Sequence, residues 1–185
     1  MAQRSITLGP GNGSVKFRTF RDGLASKAGH DLVLGVDRWS ATLDGDSDDP
    51  SSSRVTATLD LRSISIQQAT GGVKPLSDGD RKDIIKNLEK TLNVGQNPEV
   101  TFRTTGVNAG GVGSVDLSGT ITLSGKSSPI RFQLQRQSGM GGERLTGTVP
   151  ILHSAFGIKP YSGLLGALKI KDEVLVDVDV NVPTA

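Results

Sequence analysis

The chain has 185 residues, no cysteine, and 21 basic against 19 acidic side chains, which gives a formal net charge of +2. A chain of this length can bury a sizeable core as one domain over residues 1–185, so neither disulfides nor a structural metal is needed. The lack of cysteine excludes disulfides and thiolate metal sites, and the scattered basic residues argue against a nucleic-acid partner.

The N-terminal stretch MAQRSITLGPGNGS has no apolar run of the length that a signal peptide needs, and no later window approaches a membrane span. We therefore expect a soluble, cytoplasmic protein. One Trp, one Tyr and five Phe stand against 24 Gly. Together with many Val, Leu and Ile residues, this composition favours strands and turns over helices.

Alternating apolar and polar residues predict about eight antiparallel strands, each with one dry and one wet face. The apolar positions of the clearest ones, in chain order, begin at Val15, Trp39, Val55, Val115, Ile130 and Val174, and shorter versions occupy 100–103 and 145–151. Such a set makes a barrel or a sandwich. A break in the alternation after Leu61 indicates a bulge or sharp bend, and the long run ending at Val182 favours the barrel.

One amphipathic helix interrupts the strands. It is predicted to begin after Ser77, with acidic residues in its first turn, and to end before Gly95. Its apolar stripe consists of Ile84, Ile85, Leu88 and Leu92. We expect this stripe to lie on the end or side of the barrel.

The two histidines, His30 and His153, are the candidates for chemistry. Ser154 stands beside His153, but no nucleophile elbow surrounds it, and two distant histidines without a third ligand make a poor metal site. We therefore expect no catalytic residue, no metal and no cofactor. In KAGHDLVLG, His30 stands where a loop becomes a strand, so we expect it near an opening of the barrel. There it would contact the polar head of a ligand or bond to a backbone carbonyl.

The residues predicted to face inward are mostly small. Phe17, Trp39, Phe102 and Phe132 are the only large ones. An eight-stranded barrel lined in this way would be hollow enough for one apolar ligand. The alternative is that Leu and Ile side chains, with the helix as a cap, fill the space.

The segment YSGLLGALKIK places Leu164, Leu165 and Leu168 among small residues. These leucines could form an apolar lip that touches a membrane while a ligand enters or leaves the barrel. The alternative is a loop or short helix folded against the end of the barrel.

Five stretches of the chain, with the charged helix after LSDGDR, form a recognisable pattern: KAGHDLVLGVDRWSATLD, RVTATLDLRSISI, NPEVTFRTT, GTITLSGKSSPIRFQL and SAFGIKPYSGLLGALKIKDEVLVDVDV. The most specific positions are the hairpin residues Gly119, Leu123, Gly125 and Pro129, the Phe156-Gly157-Ile158 segment, and Asp172-Glu173-Val174 at the start of the last strand. Together they resemble the YceI-like family in its actinobacterial form, and the resemblance covers nearly the whole chain.

This resemblance implies an all-β, lipocalin-like antiparallel barrel with one helix packed at it, and a protein that binds an isoprenoid, quinone or other lipid instead of an enzyme. On this hypothesis the ligand wall would include Phe17, Trp39, Phe102, Phe132 and Phe156, with His30 and Tyr161 as head-group contacts. Two alternatives remain open. One is a lipid isomerase or hydrolase with His30 or His153 as its base. The other is a filled barrel that acts through its surface, for example as a homodimer.

Overall fold

The computed structural model describes residues 4–46 and 49–183. Its single α-helix in this part of the chain, α1, spans Asp78–Thr91. The strands are β1 (Arg4–Leu8), β2 (Gly13–Thr19), β3 (Arg21–Asp22), β4 (His30–Val36), β5 (Trp39–Asp46), β6 (Asp49–Asp60), β7 (Ile64–Gly71), β8 (Glu99–Ala109), β9 (Ser114–Leu123), β10 (Lys126–Gly139), β11 (Gly142–Leu152), β12 (Ser162–Gly163), β13 (Leu168–Ile170) and β14 (Glu173–Pro183). No helix in residues 4–46 and 49–183 is long and apolar enough to cross a bilayer.

Eleven strands form one antiparallel sheet in the order β1-β5-β6-β8-β9-β10-β11-β14-β2-β4-β7, and β12, β13 and β3 form a small second sheet. The longest ladder pairs β11 with β14, from Gly142 opposite Pro183 to Leu152 opposite Glu173. The prediction of an all-β fold with one helix is therefore confirmed.

Two short connections force the large sheet to curl. Asp37 and Arg38 alone join β4 to β5, and the turn Leu61–Ser63 alone joins β6 to β7, although each connection links strands near opposite edges of the sheet. Two or three residues span at most about 10 Å, so the two edges must face each other. Backbone bonds hold them there: Asp37 donates to Ser63 at 3.2 Å and Asp60 to Arg38 at 2.9 Å. The result is a half-barrel.

The structure adds strands β1, β4 and β7 to the eight in the large sheet that alternation predicts. Strand β4 shows little alternation because it is covered on both faces: Leu32, Leu34, Gly35 and Val36 are all buried. The phase break after Leu61 is the turn Leu61–Ser63, after which the chain crosses to the opposite edge as β7.

The concave side of the sheet carries the main apolar core. Its buried members include Val15, Leu34, Val36, Trp39, Leu59, Leu61, Ile64, Val149, Val176, Val180 and Val182. The apolar side chains of α1 pack against this cluster but are only half-buried, and no residue of the helix is fully buried. The helix therefore covers a space that side chains do not fill.

Candidate functional site

A cavity of about 550 Å³ lies between α1 and the concave side of the sheet. Its floor consists of apolar side chains from seven strands of the large sheet and from the turn before β7: Phe17, Leu32, Leu34, Leu61, Ile64, Val100, Ile121, Leu123, Ile151, Val174 and Val176. This volume falls in the usual range for small-molecule sites, roughly 300 to 1,000 Å³. The concave side of the sheet is therefore hollow beneath the helix.

Helix α1 forms the roof of the cavity. Ile84, Leu88 and Leu92 face the cavity as one helical stripe, as the sequence predicts for these residues. A second stripe along the cavity edge is polar and consists of Asp80, Asp83, Asn87 and Thr91. The roof thus presents an apolar surface to the interior beside a row of polar groups.

Both ends of the roof are fixed by hydrogen bonds. At the N-terminus the Ser77 hydroxyl accepts from the Asp80 backbone at 3.1 Å, and the Asp80 carboxylate accepts from the Ser77 backbone at 2.9 Å. The Ser77 hydroxyl also donates to the Asp80 carboxylate at 2.7 Å, and this bond, followed by the one from the Ser77 backbone, lowers the pKa of Asp80 from its ordinary value. At the C-terminus the Ser124 hydroxyl donates to the Leu92 carbonyl at 2.6 Å. The capping box therefore fixes where the helix begins, and the bond from Ser124 ties its C-terminal end to the end of β9.

His30 lies at the mouth of the cavity, at the first position of β4. Its Nε2 lies 2.9 Å from the carbonyl oxygen of Lys74. Because a carbonyl only accepts, Nε2 carries the proton and donates it. This bond ties β4 to the segment that leads into α1, and it matches the second of the two roles expected for His30. The polar-head role stays a prediction.

His153 also lines the cavity, but its contacts do not make a nucleophilic pair with Ser154. Its Nδ1 lies 2.9 Å from the backbone oxygen of Asp172, while the Ser154 hydroxyl donates to the Asp172 carboxylate at 2.5 Å. That hydrogen bond lowers the pKa of Asp172, which makes its carboxylate a weaker base. The Ser154 proton thus points to a poor base and not to the imidazole.

Three of the seven predicted ligand contacts line the cavity: Phe17 on its floor, and His30 and Tyr161 among its polar groups. The structure places the other four elsewhere. Trp39 is buried in the main core, and Phe156 is buried with Ile121 and Ile158 in a second cluster. Alternation identifies the inward face of a strand, but the cavity occupies only part of that face.

Phe102 and Phe132 meet each other instead of the cavity. They lie on β8 and β10, the two neighbours of β9, and their ring centroids are 5.5 Å apart. The contact passes over Gly119 of β9, where an added Cβ would lie 2.5 Å from the Phe102 ring. The absence of a side chain at Gly119 therefore lets the two rings fill the interior away from the cavity.

Sequence reasoning missed the polar stripe of α1 and the segment that precedes the helix. Val73, Lys74 and Pro75 line the cavity although alternation assigns them to a loop. A signal for the stripe exists, since Asp80, Asp83, Asn87 and Thr91 share one side of a helix at 3.6 residues per turn. Among the described residues, no three His, Cys, Asp or Glu side chains gather into a group that could hold a metal ion.

The predicted lip divides into two parts. Leu168 lines the cavity, whereas Leu164 and Leu165 project into solvent. A short turn at Leu164–Gly166, between β12 and β13, carries the two exposed leucines. The loop is thus folded at the mouth, with one leucine turned inward and two outward.

Comparison with known proteins gives a consistent result. The model of the YceI-like domain matches residues 7–182. A UPF0312 protein of Pseudomonas paraeruginosa is 31% identical over 140 residues, which is 72% of this chain and 65% of that protein. The chain thus spans slightly less than two thirds of that relative's length.

Solved structures share the fold. BcnA of Burkholderia cenocepacia superposes with a TM-score of 0.68 at 15% identity, over 91% of this chain and 96% of BcnA. The YceI protein of Campylobacter jejuni superposes with a TM-score of 0.60 at 15% identity, over 82% of this chain and 84% of that protein. Members of the YceI-like family are known as binding proteins for polyisoprenoids and other hydrophobic ligands. The match over residues 7–182 shows that this chain belongs to the YceI-like family.

Proposed function

We propose that this protein binds one hydrophobic small molecule, an isoprenoid, quinone or other lipid, in the cavity beneath α1, and sequesters or carries it. The observation that supports this proposal most strongly is the half-buried apolar stripe of the helix over an apolar floor. A hydrocarbon that lies between the half-exposed stripe and the floor would remove apolar surface from water. This burial would favour binding by about 0.8 kcal/mol for each buried CH₂ group.

The distribution of polar groups supports one orientation of the ligand. His30 and Lys74 lie close to Asp80 of the polar stripe, and Tyr161 also lines the cavity, while the floor strands contribute mostly apolar side chains. A hydrocarbon chain would lie along the floor, and a polar head group would remain near His30 at the mouth. In a mostly apolar pocket, a small number of polar groups fix the orientation of the ligand, while the apolar wall binds its hydrocarbon chain.

We further propose that the protein performs no chemistry on its ligand. The enzyme alternative requires a histidine in the cavity with a partner that it can activate. His30 donates to the Lys74 carbonyl, and the Ser154 hydroxyl is held by Asp172 instead of His153. Unchanged masses of natural lipids after incubation with the protein would support binding without turnover, whereas a new product that disappears in His30→Ala or His153→Ala would overturn it.

The proposal is tested by filling the cavity from its roof. Leu88→Trp places an indole in the cavity, because Leu88 faces the interior. Lys86→Trp adds the same side chain on the exposed side of the same helix. In a titration with the fluorescent probe N-phenyl-1-naphthylamine, we expect Leu88→Trp to weaken binding by at least tenfold and Lys86→Trp to leave it unchanged. Equal binding by wild type and both variants would place the probe outside the cavity.

A further inference from the structure

Four apolar side chains project into solvent around the mouth of the cavity. Leu24 is 101% exposed, Val73 83%, Leu164 61% and Leu165 108%. Single exposed apolar residues are ordinary on protein surfaces, but a group of them around one opening marks an interaction site. These four residues are called the rim below.

The rim comes from three chain segments that meet at the mouth, residues 23–28, 72–76 and 159–171. The first and third are joined by a bond from the Ala25 backbone to the Ala167 carbonyl at 2.8 Å, and β3, which directly precedes the first segment, pairs with β13 of the third. The second is tied to the start of β4 by the bond between His30 and Lys74. Each segment also contributes to the cavity wall, through Ala28, Lys74 and Leu168 respectively. The rim is therefore continuous with the cavity.

The backbone holds two rim leucines in an unfavourable conformation. Leu164 has φ 50° and Leu165 has φ 56°, both in the left-handed region that residues other than glycine seldom occupy. Strained backbone of this kind clusters at functional sites, where the surrounding structure maintains it. Here it coincides with two adjacent leucines that are turned toward water.

The charged side chains of the three rim segments all have one sign. They are Lys27, Lys74, Lys159, Lys169 and Lys171, all of them exposed, and residues 23–28, 72–76 and 159–171 contain no Asp or Glu. Acidic side chains adjoin these segments at their ends: Asp22 pairs with Lys169 across β3 and β13, and Asp172, whose carboxylate accepts from Ser154, follows Lys171. Asp80 and Asp83 of the helix also line the cavity. An apolar rim among five lysines is complementary to a surface with an apolar interior and anionic head groups.

We propose that the rim docks the protein on a bilayer that contains anionic lipids, with Leu164 and Leu165 entering the acyl boundary and the lysines contacting the head groups. The cavity mouth would then face the membrane directly. Docking would let the ligand exchange with the bilayer, and this role rests on the proposed function. Docking itself is measurable without any ligand. An anionic bilayer matches both features of this surface, because its head groups attract the five exposed lysines and its acyl boundary accepts the exposed leucines. A protein partner would not require this combination.

The test is flotation of the full chain with vesicles of phosphatidylcholine and phosphatidylglycerol at 3:1, and with vesicles of phosphatidylcholine alone. We expect co-flotation with the anionic vesicles. Changing both Lys169 and Lys171 to Gln should lower partitioning by about 25-fold, since each basic residue near an anionic surface contributes about fivefold. Higher salt should also weaken partitioning. Failure to float with anionic vesicles would overturn the proposal.

Matched variants locate the surface. Leu164→Asn with Leu165→Asn removes the apolar tip and suits the left-handed backbone, because Asn tolerates that conformation. Val112→Asn with Met140→Asn removes two apolar side chains, 108% and 107% exposed, that are at least as exposed as Leu164 and about as exposed as Leu165, from turns at the other end of the strands. We expect the first pair to reduce flotation at least tenfold and the second to leave it unchanged. Equal losses of flotation in the two variant pairs would overturn the assignment of the surface. So would a wild-type protein that binds no vesicles but self-associates through the rim, with self-association lost in the rim variant.

One further readout separates the two proposals. Leu164 and Leu165 do not belong to the cavity wall. Uptake of N-phenyl-1-naphthylamine from solution should therefore be unchanged in the rim variant. Vesicle binding without probe uptake would contradict the ligand proposal alone, and probe uptake without vesicle binding would contradict the docking proposal alone.

Discussion

His30 and Lys74 are linked across the mouth of the cavity, with Nε2 of the imidazole 2.9 Å from the Lys74 carbonyl oxygen. They are 44 positions apart in the chain. His30 begins β4, and Lys74 precedes the helix that roofs the cavity. One hydrogen bond therefore connects the floor of the cavity to the segment that carries its roof.

Removal of this link should let ligands leave faster. His30→Ala takes away the imidazole donor and leaves the Lys74 carbonyl to water. A neutral hydrogen bond contributes about 1 kcal/mol, so we expect the dissociation rate of the bound probe to rise about fivefold. Stopped-flow displacement measures this rate. Ser114→Ala is the control, because the Ser114 hydroxyl also donates to a backbone carbonyl, that of Gly111 at 3.1 Å, but does not line the cavity; an equal rise in both variants would contradict the link.

Removal of the N-cap of α1 should lower the stability of the protein without changing its fold. Ser77→Ala removes the hydroxyl that accepts from Asp80, and we expect the free energy of unfolding to fall by about 1 kcal/mol. Urea denaturation measures it. Ser77→Thr, which restores a hydroxyl that accepts from the Asp80 backbone and donates to the Asp80 carboxylate, should recover most of the loss. Failure of Ser77→Thr to do so would mean that Ser77 acts in some other way.

An ion pair on the outer face of the sheet should make the stability of the folded protein sensitive to acid. Arg18 donates to both oxygens of Asp177, at 2.5 and 2.8 Å, and Thr148 donates at 2.6 Å. The bond to Arg18, first, and that to Thr148 lower the pKa of Asp177 below its ordinary value of 3.8. A lowered carboxyl pKa stabilises the folded protein above pH 3.8, and this stabilisation is lost as the pH falls further, through the lowered value.

Asp177→Asn tests this pair. The two side chains are about one third exposed, at 36% and 33%, so solvent screening limits the expected loss at pH 7 to about 1 kcal/mol. The difference from the wild type should shrink as the pH falls below 3.8, where Asp177 of the unfolded wild-type chain becomes protonated, and should disappear below the lowered pKa of the folded protein. Unfolding midpoints between pH 2 and 7 measure it. Asp37→Asn, at an exposed position, is the control. A difference independent of pH would exclude the ion pair as its cause.

The two rings over Gly119 predict an overpacking effect. In Gly119→Ala the new Cβ would collide with the Arg103 carbonyl and would lie 2.5 Å from the Phe102 ring. We expect a loss of about 1 to 3 kcal/mol in the free energy of unfolding. Gly141→Ala is the control, because a Cβ there meets nothing within 4 Å. Phe102→Leu combined with Gly119→Ala should lose less than the sum of the single changes, whereas full additivity would show that the two sites are independent.

Alternation of apolar and polar residues in the sequence is sufficient to predict strands that have one buried face and one face exposed to solvent. Val174 to Val182 alternates with Asp177 and Asp179, and the strand forms with these acids on its outer face, where they meet Arg18 and Arg144. Strand β4 follows a different pattern. Because its residues are covered on both faces, period-2 alternation carries little information about it.

The cavity was harder to predict than the fold. Phe17 and Trp39 both face inward, yet only Phe17 lines the cavity. Alternation gives the face of a strand but not the height of a residue along the barrel, which depends on strand pairing and on the position of the helix. The capping pattern after Ser77 predicts the helix itself, while its position over the floor follows from bonds such as that between Ser124 and Leu92.

The central claim, that the cavity holds a hydrophobic molecule, is tested most directly by native mass spectrometry of the freshly purified protein, followed by organic extraction and identification of what is released. The proposal predicts an added mass that extraction identifies as a long-chain lipid or isoprenoid, with that mass absent in Leu88→Trp and retained in Lys86→Trp. A bare chain mass from several expression hosts, with no uptake of added isoprenoids or other lipids, would contradict it.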